Sequence, residues 1–384
     1  MPADVVDAWL RSRCHAAVAG LHVRPLEHTA LPGLPLSVQR GQAEVFILQA
    51  TDGTTWMLKK FHPGRVLDRG YLQSVQSLVP PGDAFASAVN RRVLQPAHLQ
   101  REPGGYYDTA LAKWVDGTIL MPRIPGRDWA SLADQIREGQ TRLDRMERLL
   151  LCQKAAGVVA QLEQAGCAHR DISSGNVFIL PGTWEVSLID FDSLFHPSLA
   201  MPATTTCGTM GYVAPFTWRH GAPEPEASWC PFADRYALAI LCVEFLVLDK
   251  GAPLTADGGM FDQKELKRRS GKGLTEATSK LKTEFPEATP LLQQALQSNR
   301  YDQCPSPEDW QRFCAAAGCT VSVPPCLRDV EEVDYTFFTQ ILARRRVPLP
   351  VWPAPSLHEL PVVDLRQVDF CQVFVVLPPS PWDP

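Results

Sequence analysis

The segment that decides the fold is HRDISSGN at residues 169–176, which is followed closely by IDFD at residues 189–192. Short apolar stretches flank both segments, so each is expected to lie on a loop beside a strand. Asp171, Asn176 and Asp190 then bring two carboxylates and an amide onto neighbouring loops. Such oxygen groups hold a divalent cation and orient a hydroxyl, so the pattern predicts a site for phosphoryl transfer.

This spacing resembles the catalytic loop H-R-D-x-x-x-x-N and the metal-binding D-F-G motif of eukaryotic-like protein kinases. Short motifs occur by chance, but the distance between these two makes chance improbable. The resemblance covers roughly residues 35 to 320. It implies that Asp171 is the catalytic base that orients the substrate hydroxyl, and that Asn176 and Asp190 hold Mg²⁺ beside ATP.

The order of predicted elements fits an α+β fold with two lobes, as in protein kinases. Alternating apolar residues around an Asp-Gly turn at residues 51–54 predict strands, and an apolar stripe over residues 143–162 predicts a long helix. The expected parts are an N-terminal helical extension (1–34), a β-rich N-lobe (35–124), an α-helical C-lobe (125–320) and a proline-rich C-terminal extension (321–384).

Between the first strands and the long helix the pattern is mixed. Helices are predicted at residues 71–78 and 84–94, and strands at residues 109–114 and 118–123. Further helices are expected at residues 233–248, 291–297 and 307–317.

Two segments near the N-terminus resemble the nucleotide-binding strands of kinases. Gly41 and Val45 belong to GQAEV, which is similar to the end of the glycine-rich loop that covers the phosphates. Met57 and Lys59 belong to WMLK, which is similar to the kinase strand V-A-I-K. The resemblance places Lys59 on the α- and β-phosphates and Met57 over the adenine. Strand alternation sends Lys60 to the opposite face.

The segment MPRIPG at residues 121–126 resembles the kinase gatekeeper and hinge. By this resemblance Met121 is the gatekeeper, and Arg123 and Ile124 belong to the hinge. Proline offers no N–H, but Ile124 offers one to the adenine. Phe178 would form the floor under the base.

The segment GTMGYVAP at residues 208–215 closely matches the peptide-binding end of the kinase activation loop. Asp234 matches the buried aspartate of the central helix, which accepts N–H bonds from the catalytic loop; the alternative is an ordinary aspartate at a helix N-terminus. Arg170 and the hydroxyls of residues 204–206 suggest that a phosphorylated loop residue binds Arg170. The alternative is that Arg170 bonds only to neighbouring backbone.

One departure from the family concerns the partner of Lys59. Residues 61–101 contain no glutamate, although the family has one on a helix in this region to pair with the lysine. Gln73 or Gln76 could give a neutral hydrogen bond instead, and Asp68 could supply a carboxylate.

Other departures change charge near the site. Ser173 stands where such kinases usually have lysine, and Asp192 replaces the glycine of D-F-G, which adds a carboxylate near the metal and limits φ. Phe216 and Cys304 replace the two members of a buried ion pair. Because both charged residues are replaced, no buried charge is left without a partner, and an apolar contact between Phe216 and Cys304 is predicted.

The composition argues against several other classes of protein. A net charge of -5 at pH 7 offers no general attraction to nucleic acid or anionic lipid. No uncharged apolar run reaches the ~18 to 20 residues of a membrane-spanning helix. The N-terminal sequence lacks the basic region of a secretory signal, and the irregularly spaced cysteines suit reduced thiols. A cytoplasmic protein is expected.

Three functions remain open. The first is a Mg-ATP-dependent protein serine/threonine kinase, and the second is a pseudokinase or ATP-binding scaffold. The third is a small-molecule kinase resembling aminoglycoside phosphotransferases, which residues 189–192 also fit, although residues 208–215 and Asp234 argue against it. A narrower resemblance, to bacterial kinases of tellurite-resistance-type gene sets, implies a von Willebrand A-type protein and a cognate phosphatase as partners beside the protein substrate.

Overall fold

The computed structural model describes residues 3–39, 42–65, 67–202, 207–219, 221–255 and 258–319. All of them belong to the first contact-defined unit of the chain, Met1–Val321. The predicted proline-rich extension lies outside the described residues.

Helices and strands alternate irregularly through the first unit. The strands are β1 (Ala16–Val18), β2 (Leu21–Pro25), β3 (Ser37–Gln39), β4 (Ala43–Ala50), β5 (Thr55–Phe61), β6 (Arg92–Val93), β7 (Leu99–Gln100), β8 (Ile119–Pro122), β9 (Arg127–Asp128), β10 (Val177–Leu180), β11 (Glu185–Leu188), β12 (Trp218–Arg219) and β13 (Ala222–Pro223). The α-helices are α1 (Ala3–Ser12), α2 (Arg69–Leu78), α3 (Ala86–Val89), α4 (Thr109–Trp114), α5 (Trp129–Glu138), α6 (Arg145–Gln164), α7 (Arg235–Val247), α8 (Gln263–Arg268), α9 (Lys272–Glu284), α10 (Thr289–Gln297) and α11 (Pro307–Ala316).

The main sheet is antiparallel, with strand order β6-β8-β5-β4-β2-β1-β7 and β3 paired to β4. Its central hairpin, β4–β5, turns at the predicted Asp-Gly pair, where Gly53 has a φ of +85°. Together with the helices that follow, the curled sheet confirms the α+β class.

The first 34 residues contribute more than the predicted helix. The helix α1 ends at Ser12, and β1 and β2 then join the main sheet. Ala17 and Val18 continue the apolar spacing of the helix, yet they lie on β1 and pair with β7. A purely helical extension is therefore wrong, because three apolar residues suit a short strand as well as a helical turn.

The prediction of a strand at residues 109–114 is also wrong, because α4 occupies this segment. Asp108 caps the helix by accepting the N–H of Ala110 at 2.7 Å, and the helix buries Leu111 and Ala112. The helix predicted at residues 84–94 shortens to a 3₁₀ turn and α3 before β6 begins. Both segments are short apolar runs whose period is ambiguous.

The helices α6 and α7 form the centre of the helical part. A capping box between Asp144 and Glu147 starts α6. Every residue of α7 after Arg235 is buried, so this helix lies inside the protein. The sequence predicted α6, α7, α10 and α11 but missed α5, α8 and α9. Within the part of the chain that the structure describes, no helix has the length and apolar character to cross a membrane.

Candidate active site

Three neighbouring strands place the predicted nucleotide-binding side chains on one face of the sheet. Val45 on β4 lies opposite Lys59 on β5, and Met57 on β5 lies opposite Met121 on β8. Opposed residues of antiparallel strands share a face, as do alternate residues of one strand, so these four side chains point the same way. Gly41 lies outside the described residues.

Lys60 points to the other face of the sheet, as predicted. Its Nζ donates to the carbonyl oxygen of Trp114 at 2.6 Å, at the C-terminal end of α4, and lies over the Trp114 ring. A lysine at this end of a helix satisfies a carbonyl oxygen without an intrahelical partner. Lys60 therefore stabilises α4 and leaves Lys59 as the lysine of the site.

The predicted hinge contributes mainly backbone. Arg123 donates its N–H to the carbonyl oxygen of Thr55 at 3.0 Å, and its side chain is exposed. Pro122 has no N–H, and the N–H of Arg123 is bonded to Thr55. The N–H of Ile124 is therefore the next backbone donor along the predicted hinge. Phe178 lies half-buried on β10, which pairs with β9 directly after the hinge.

Lys59 forms ion pairs with two carboxylates of the second predicted motif. Its Nζ lies 2.6 Å from Asp190 Oδ1 and 2.5 Å from Asp192 Oδ2, and the residue is only 6% exposed. Burial lowers the pKa of Lys59, but the two carboxylates outweigh burial and raise this pKa well above its ordinary value. Lys59 is therefore a fixed cation between β5 and the loop after β11.

None of the three side chains predicted as partners of Lys59 is among its partners in the described structure. Asp68 caps the N-terminus of α2, Gln76 donates to a carbonyl oxygen of α3, and Gln73 is exposed. Asp192 holds Lys59 instead. The sequence placed Asp192 near the metal but could not show this pairing, because it depends on how β5 meets a loop far along the chain.

Asp192 lies in a 3₁₀ turn, Phe191–Ser193, and its φ is not positive, so glycine is not required at this position. Its Oδ1 faces Nη1 of Arg91 at 3.6 Å. Arg91 is 2% exposed and also donates to the carbonyl oxygen of Leu72 on α2. Burial raises the pKa of Asp192 to about 6, against the opposing charges of Lys59 and Arg91. Arg91, which no sequence motif marks, thus connects α2 to the lysine site.

Asp190 has a left-handed backbone, with φ +67° and ψ +58°. A residue other than glycine rarely adopts this conformation, and such strain is concentrated at functional sites. The N–H of Ile189 donates to the carbonyl oxygen of Asn176 at 3.0 Å, which fixes the loop beside the other motif. Burial favours a higher pKa for Asp190, but the charge and hydrogen bond of Lys59 help to lower it to about 2.

Asp171 accepts hydrogen bonds from both sides. Nδ2 of Asn176 donates to Asp171 Oδ2 at 3.0 Å and to its carbonyl oxygen at 2.8 Å, and Oγ1 of Thr209 donates to Oδ1 at 2.8 Å. Burial, with the negative charge of Asp190, raises the pKa of Asp171 to about 7. Because Thr209 belongs to the segment 208–215, the predicted peptide-binding segment touches the predicted catalytic carboxylate.

Asp234 supports the loop that carries Asp171. Its carboxylate accepts the N–H groups of His169 at 2.6 Å and Arg170 at 2.7 Å, which confirms the predicted role. Nδ1 of His169 accepts the N–H of Asp171 at 3.3 Å. Nε2 therefore carries the ring proton and donates it to the carbonyl oxygen of Ile189 at 2.8 Å. Buried His169 therefore joins the two motif loops.

The Arg170 side chain is 4% exposed and has structural partners. Nε donates to the carbonyl oxygen of Ser228 at 2.9 Å, Nη2 donates to that of Pro225 at 3.1 Å, and the guanidinium stacks on Trp229. The contacts support the alternative in which Arg170 bonds to surrounding backbone. Residues 204–206 lie outside the described residues.

Phe216 and Cys304 belong to the same hydrophobic cluster, but the ring contacts of Phe216 are with two tyrosines. Phe216 meets Tyr301 and Tyr236 edge-on, with ring centroids 4.9 and 6.2 Å away. Cys304 is 2% exposed. The sequence did not indicate these aromatic partners of Phe216, and a direct contact between Phe216 and Cys304 stays a prediction.

Glu244, on α7, anchors the segment 208–215 from inside the protein. The buried carboxylate accepts the Tyr212 hydroxyl at 2.7 Å, Nε1 of Trp129 at 3.0 Å and the N–H of Met260 at 2.7 Å. Burial raises the pKa of Glu244 to about 7. Glu244 was not recognisable from the sequence, because a lone glutamate in an apolar helix carries no motif.

A Mg²⁺ site at Asn176 and Asp190 is chemically suitable. A carboxylate and an amide oxygen are hard ligands, and Mg²⁺ commonly completes its coordination with water and substrate phosphates. Because Asn176 binds Asp171 through Nδ2, its Oδ1 is the atom that could coordinate. Across the described ranges, no group of three or more His, Cys, Asp or Glu side chains is arranged to hold a metal.

Neither a scan against protein-family models nor a search of curated proteins found a match to this chain. The class of the site therefore rests on its own geometry. That geometry consists of a buried lysine on a sheet, paired with a strained aspartate, next to a second aspartate that is hydrogen-bonded to an asparagine and a threonine.

Proposed function

We propose that the chain is a Mg-ATP-dependent protein serine/threonine kinase with a bilobal, kinase-like fold. The observation that carries the proposal is the 2.6 Å ion pair between Lys59 and Asp190. It joins the strand expected to bind phosphates to the loop expected to bind the metal, and hydrogen bonds connect that loop to Asp171. Of the three functions, this one uses every group of the site.

In this proposal the chain's own residues bind and orient the two reactants. Lys59 binds the α- and β-phosphates, and Val45, Met57 and Met121 give the adenine an apolar surface. Asn176 and Asp190 would hold Mg²⁺, which offsets charge on the transferring phosphoryl group when it is bound.

Asp171 orients the acceptor hydroxyl and receives its proton while the new O–P bond forms and the bond to the ADP oxygen breaks. The hydrogen bonds from Asn176 and Thr209 fix both carboxylate oxygens, so Asp171 presents a defined acceptor geometry.

A protein acceptor is favoured over a small molecule by Thr209. Its hydroxyl ties the segment 208–215 to Asp171, and Glu244 and Asp234 support the two sides of this contact. A small-molecule kinase has no need for such a segment. A von Willebrand A-type protein and a cognate phosphatase remain proposed partners, on the resemblance alone.

The test is a transfer assay with γ-labelled ATP and purified protein, with and without casein as a generic protein acceptor. We expect label on the chain itself or on casein, dependent on Mg²⁺. Bound ATP without transfer to any acceptor would support the pseudokinase, and label on aminoglycosides but on no protein would support the small-molecule kinase.

A further inference from the structure

A strongly basic surface lies around α8. Residues 263–273, QKELKRRSGKG, contain five basic residues and one glutamate in a chain of net charge -5. The one glutamate, Glu265, accepts the backbone N–H of Gly273 through Oε1 at 3.2 Å. We call the exposed basic residues the basic platform; they are Lys264, Lys267, Arg268, Arg269 and Lys272.

Most of these charges have no acidic partner of their own. Among the described residues, only Lys272 of the five forms an ion pair, with Glu276 at 3.8 Å on the same helix. The remaining four are therefore uncompensated, although the chain as a whole is acidic. A local positive field on an acidic protein concentrates anionic ligands at one place.

The platform is attached directly to the segment 208–215. Gln263, the first residue of α8, accepts the N–H of Gly211 through Oε1 and donates through Nε2 to the carbonyl oxygen of Val213, both at 2.9 Å. The Gln263 amide thus binds the backbone on each side of Tyr212 and fixes this part of the segment to α8. The same segment reaches Asp171 through Thr209, so the platform is held in a fixed relation to the proposed acceptor site.

The hairpin β12–β13 extends this surface. Nζ of Lys267 lies over the ring of Trp218, which follows the segment 208–215 after one 3₁₀ turn. The contact holds a cation and an aromatic ring together beside the segment. Exposed Met210 adds an apolar side chain on the segment itself.

We propose that the basic platform binds an acidic stretch of the protein substrate, next to the hydroxyl that is phosphorylated. This inference rests on the proposed function and adds a substrate class to it. Arginine and lysine bind carboxylates through charge-assisted hydrogen bonds, and exposed side chains do so without a burial cost. The acidic remainder of the chain repels the same stretch, which makes the platform the favoured position.

The test compares two serine peptides of equal length, one flanked by Asp and Glu and one by Asn and Gln. The variant Lys267→Glu/Arg268→Glu should raise the KM for the acidic peptide by about tenfold, as expected for the loss of several surface charge contacts. The kcat for both peptides and the KM for the neutral peptide should stay unchanged. The control Lys113→Glu/Arg142→Glu makes the same charge change at exposed positions elsewhere and should behave like wild type. Added 0.5 M NaCl should remove the difference between the peptides.

A binding measurement separates this inference from the proposed function. Fluorescence anisotropy with the labelled acidic peptide, without ATP, should show binding to wild type and control but at least fivefold weaker binding to the platform variant. If no peptide is phosphorylated but binding is weakened only in the platform variant, the binding role of the platform is supported and the kinase proposal fails. Equal affinity of variant and control would overturn the platform. Tighter binding of a single-stranded oligonucleotide than of the peptide, lost in the same variant, would also overturn it.

Discussion

Lys59 is buried between two carboxylates, and only Asp190 belongs to the proposed metal site. If Asp190 turns toward a bound cation, Asp192 still holds the lysine. Arg91 holds Asp192 in turn and bonds to α2. The counter-ion of the lysine thus comes from the loop after β11, and Arg91 connects it to α2.

The first prediction concerns this counter-ion. Asp192→Asn leaves Lys59 with Asp190 alone and leaves Arg91 buried without its carboxylate. We expect the free energy of unfolding to fall by about 3 kcal/mol, as for loss of one partner of a buried ion pair, and the KM for ATP to rise. Urea unfolding and ATP kinetics measure both effects.

The matched control for that prediction is Asp116→Asn. Asp116 pairs with Arg69 at the surface, where an ion pair contributes about 0 to 1 kcal/mol. Equal losses of stability in the two variants would contradict the role given to Asp192.

At the residue scale, the sequence predicts which residues belong to the site better than it predicts which residues they contact. Asp171, Asn176, Asp190 and Lys59 are recognisable because their spacing or strand context is local. The pairing of Lys59 with Asp192 and the position of Arg91 are long-range contacts, which depend on packing that no local pattern encodes.

The elements around the hinge are held together by a close backbone approach. Gly126 has a φ of +93°, and a Cβ at this position would lie 2.2 Å from the carbonyl oxygen of Ile179 on β10. Only glycine therefore allows the chain to pass from the hinge to β9 at this distance.

The second prediction follows from this approach. Gly126→Ala should destabilise the fold by about 2 to 5 kcal/mol, because the clash adds to the cost of a positive φ. Gly182→Ala is the control: its φ is +96°, and a Cβ there meets nothing within 4 Å, so about 1 to 2 kcal/mol is expected from the backbone alone. Thermal unfolding of both variants measures the difference, and equal losses would contradict the clash.

The third prediction concerns Glu244, which connects α7 to the segment 208–215. Its folded pKa of about 7 lies above the ordinary 4.5. The folded state therefore binds the proton more tightly, so this group's stabilisation is complete below pH 4.5 and is lost as pH rises through 7. The loss is on the order of 3 kcal/mol.

Glu244→Gln removes the titrating group, so urea unfolding between pH 5 and pH 8 should show a flatter decline in stability than in wild type. The exposed Glu185, replaced by glutamine in the same way, should leave the wild-type slope unchanged. Identical slopes for all three proteins would rule out the raised pKa of Glu244.

Elements with strong periodicity were predictable, and short ones were not. The helices α6 and α7 have long apolar patterns, and β4 and β5 have an Asp-Gly turn between them. The segment of α4 could be a strand by its apolar pattern alone, and only the cap at Asp108 and its packing decide for a helix.

At the scale of the whole molecule, the described residues form two hydrophobic cores, and each includes residues of the main sheet. One contains residues of α1 and α4 with the strands β1, β2 and β4, and the other continues from α2 and β5 into α6 and α7. The second core carries the site, because Lys59 and the two motif loops lie at its edge. The α+β class followed from the order of patterns along the chain, whereas the incorporation of β1 and β2 depended on sheet pairing.

The central claim is that one site transfers phosphate with Asp171 as its base. The rate of γ-phosphate transfer from saturating labelled Mg-ATP to casein and to the chain itself, for wild type and Asp171→Asn, tests it most directly. We expect Mg²⁺-dependent transfer that falls by about 10² to 10⁴-fold in the variant, the range for loss of a positioned general base, while the far-ultraviolet circular dichroism stays unchanged. Transfer at the same rate by both proteins, or no transfer by wild type, would contradict it.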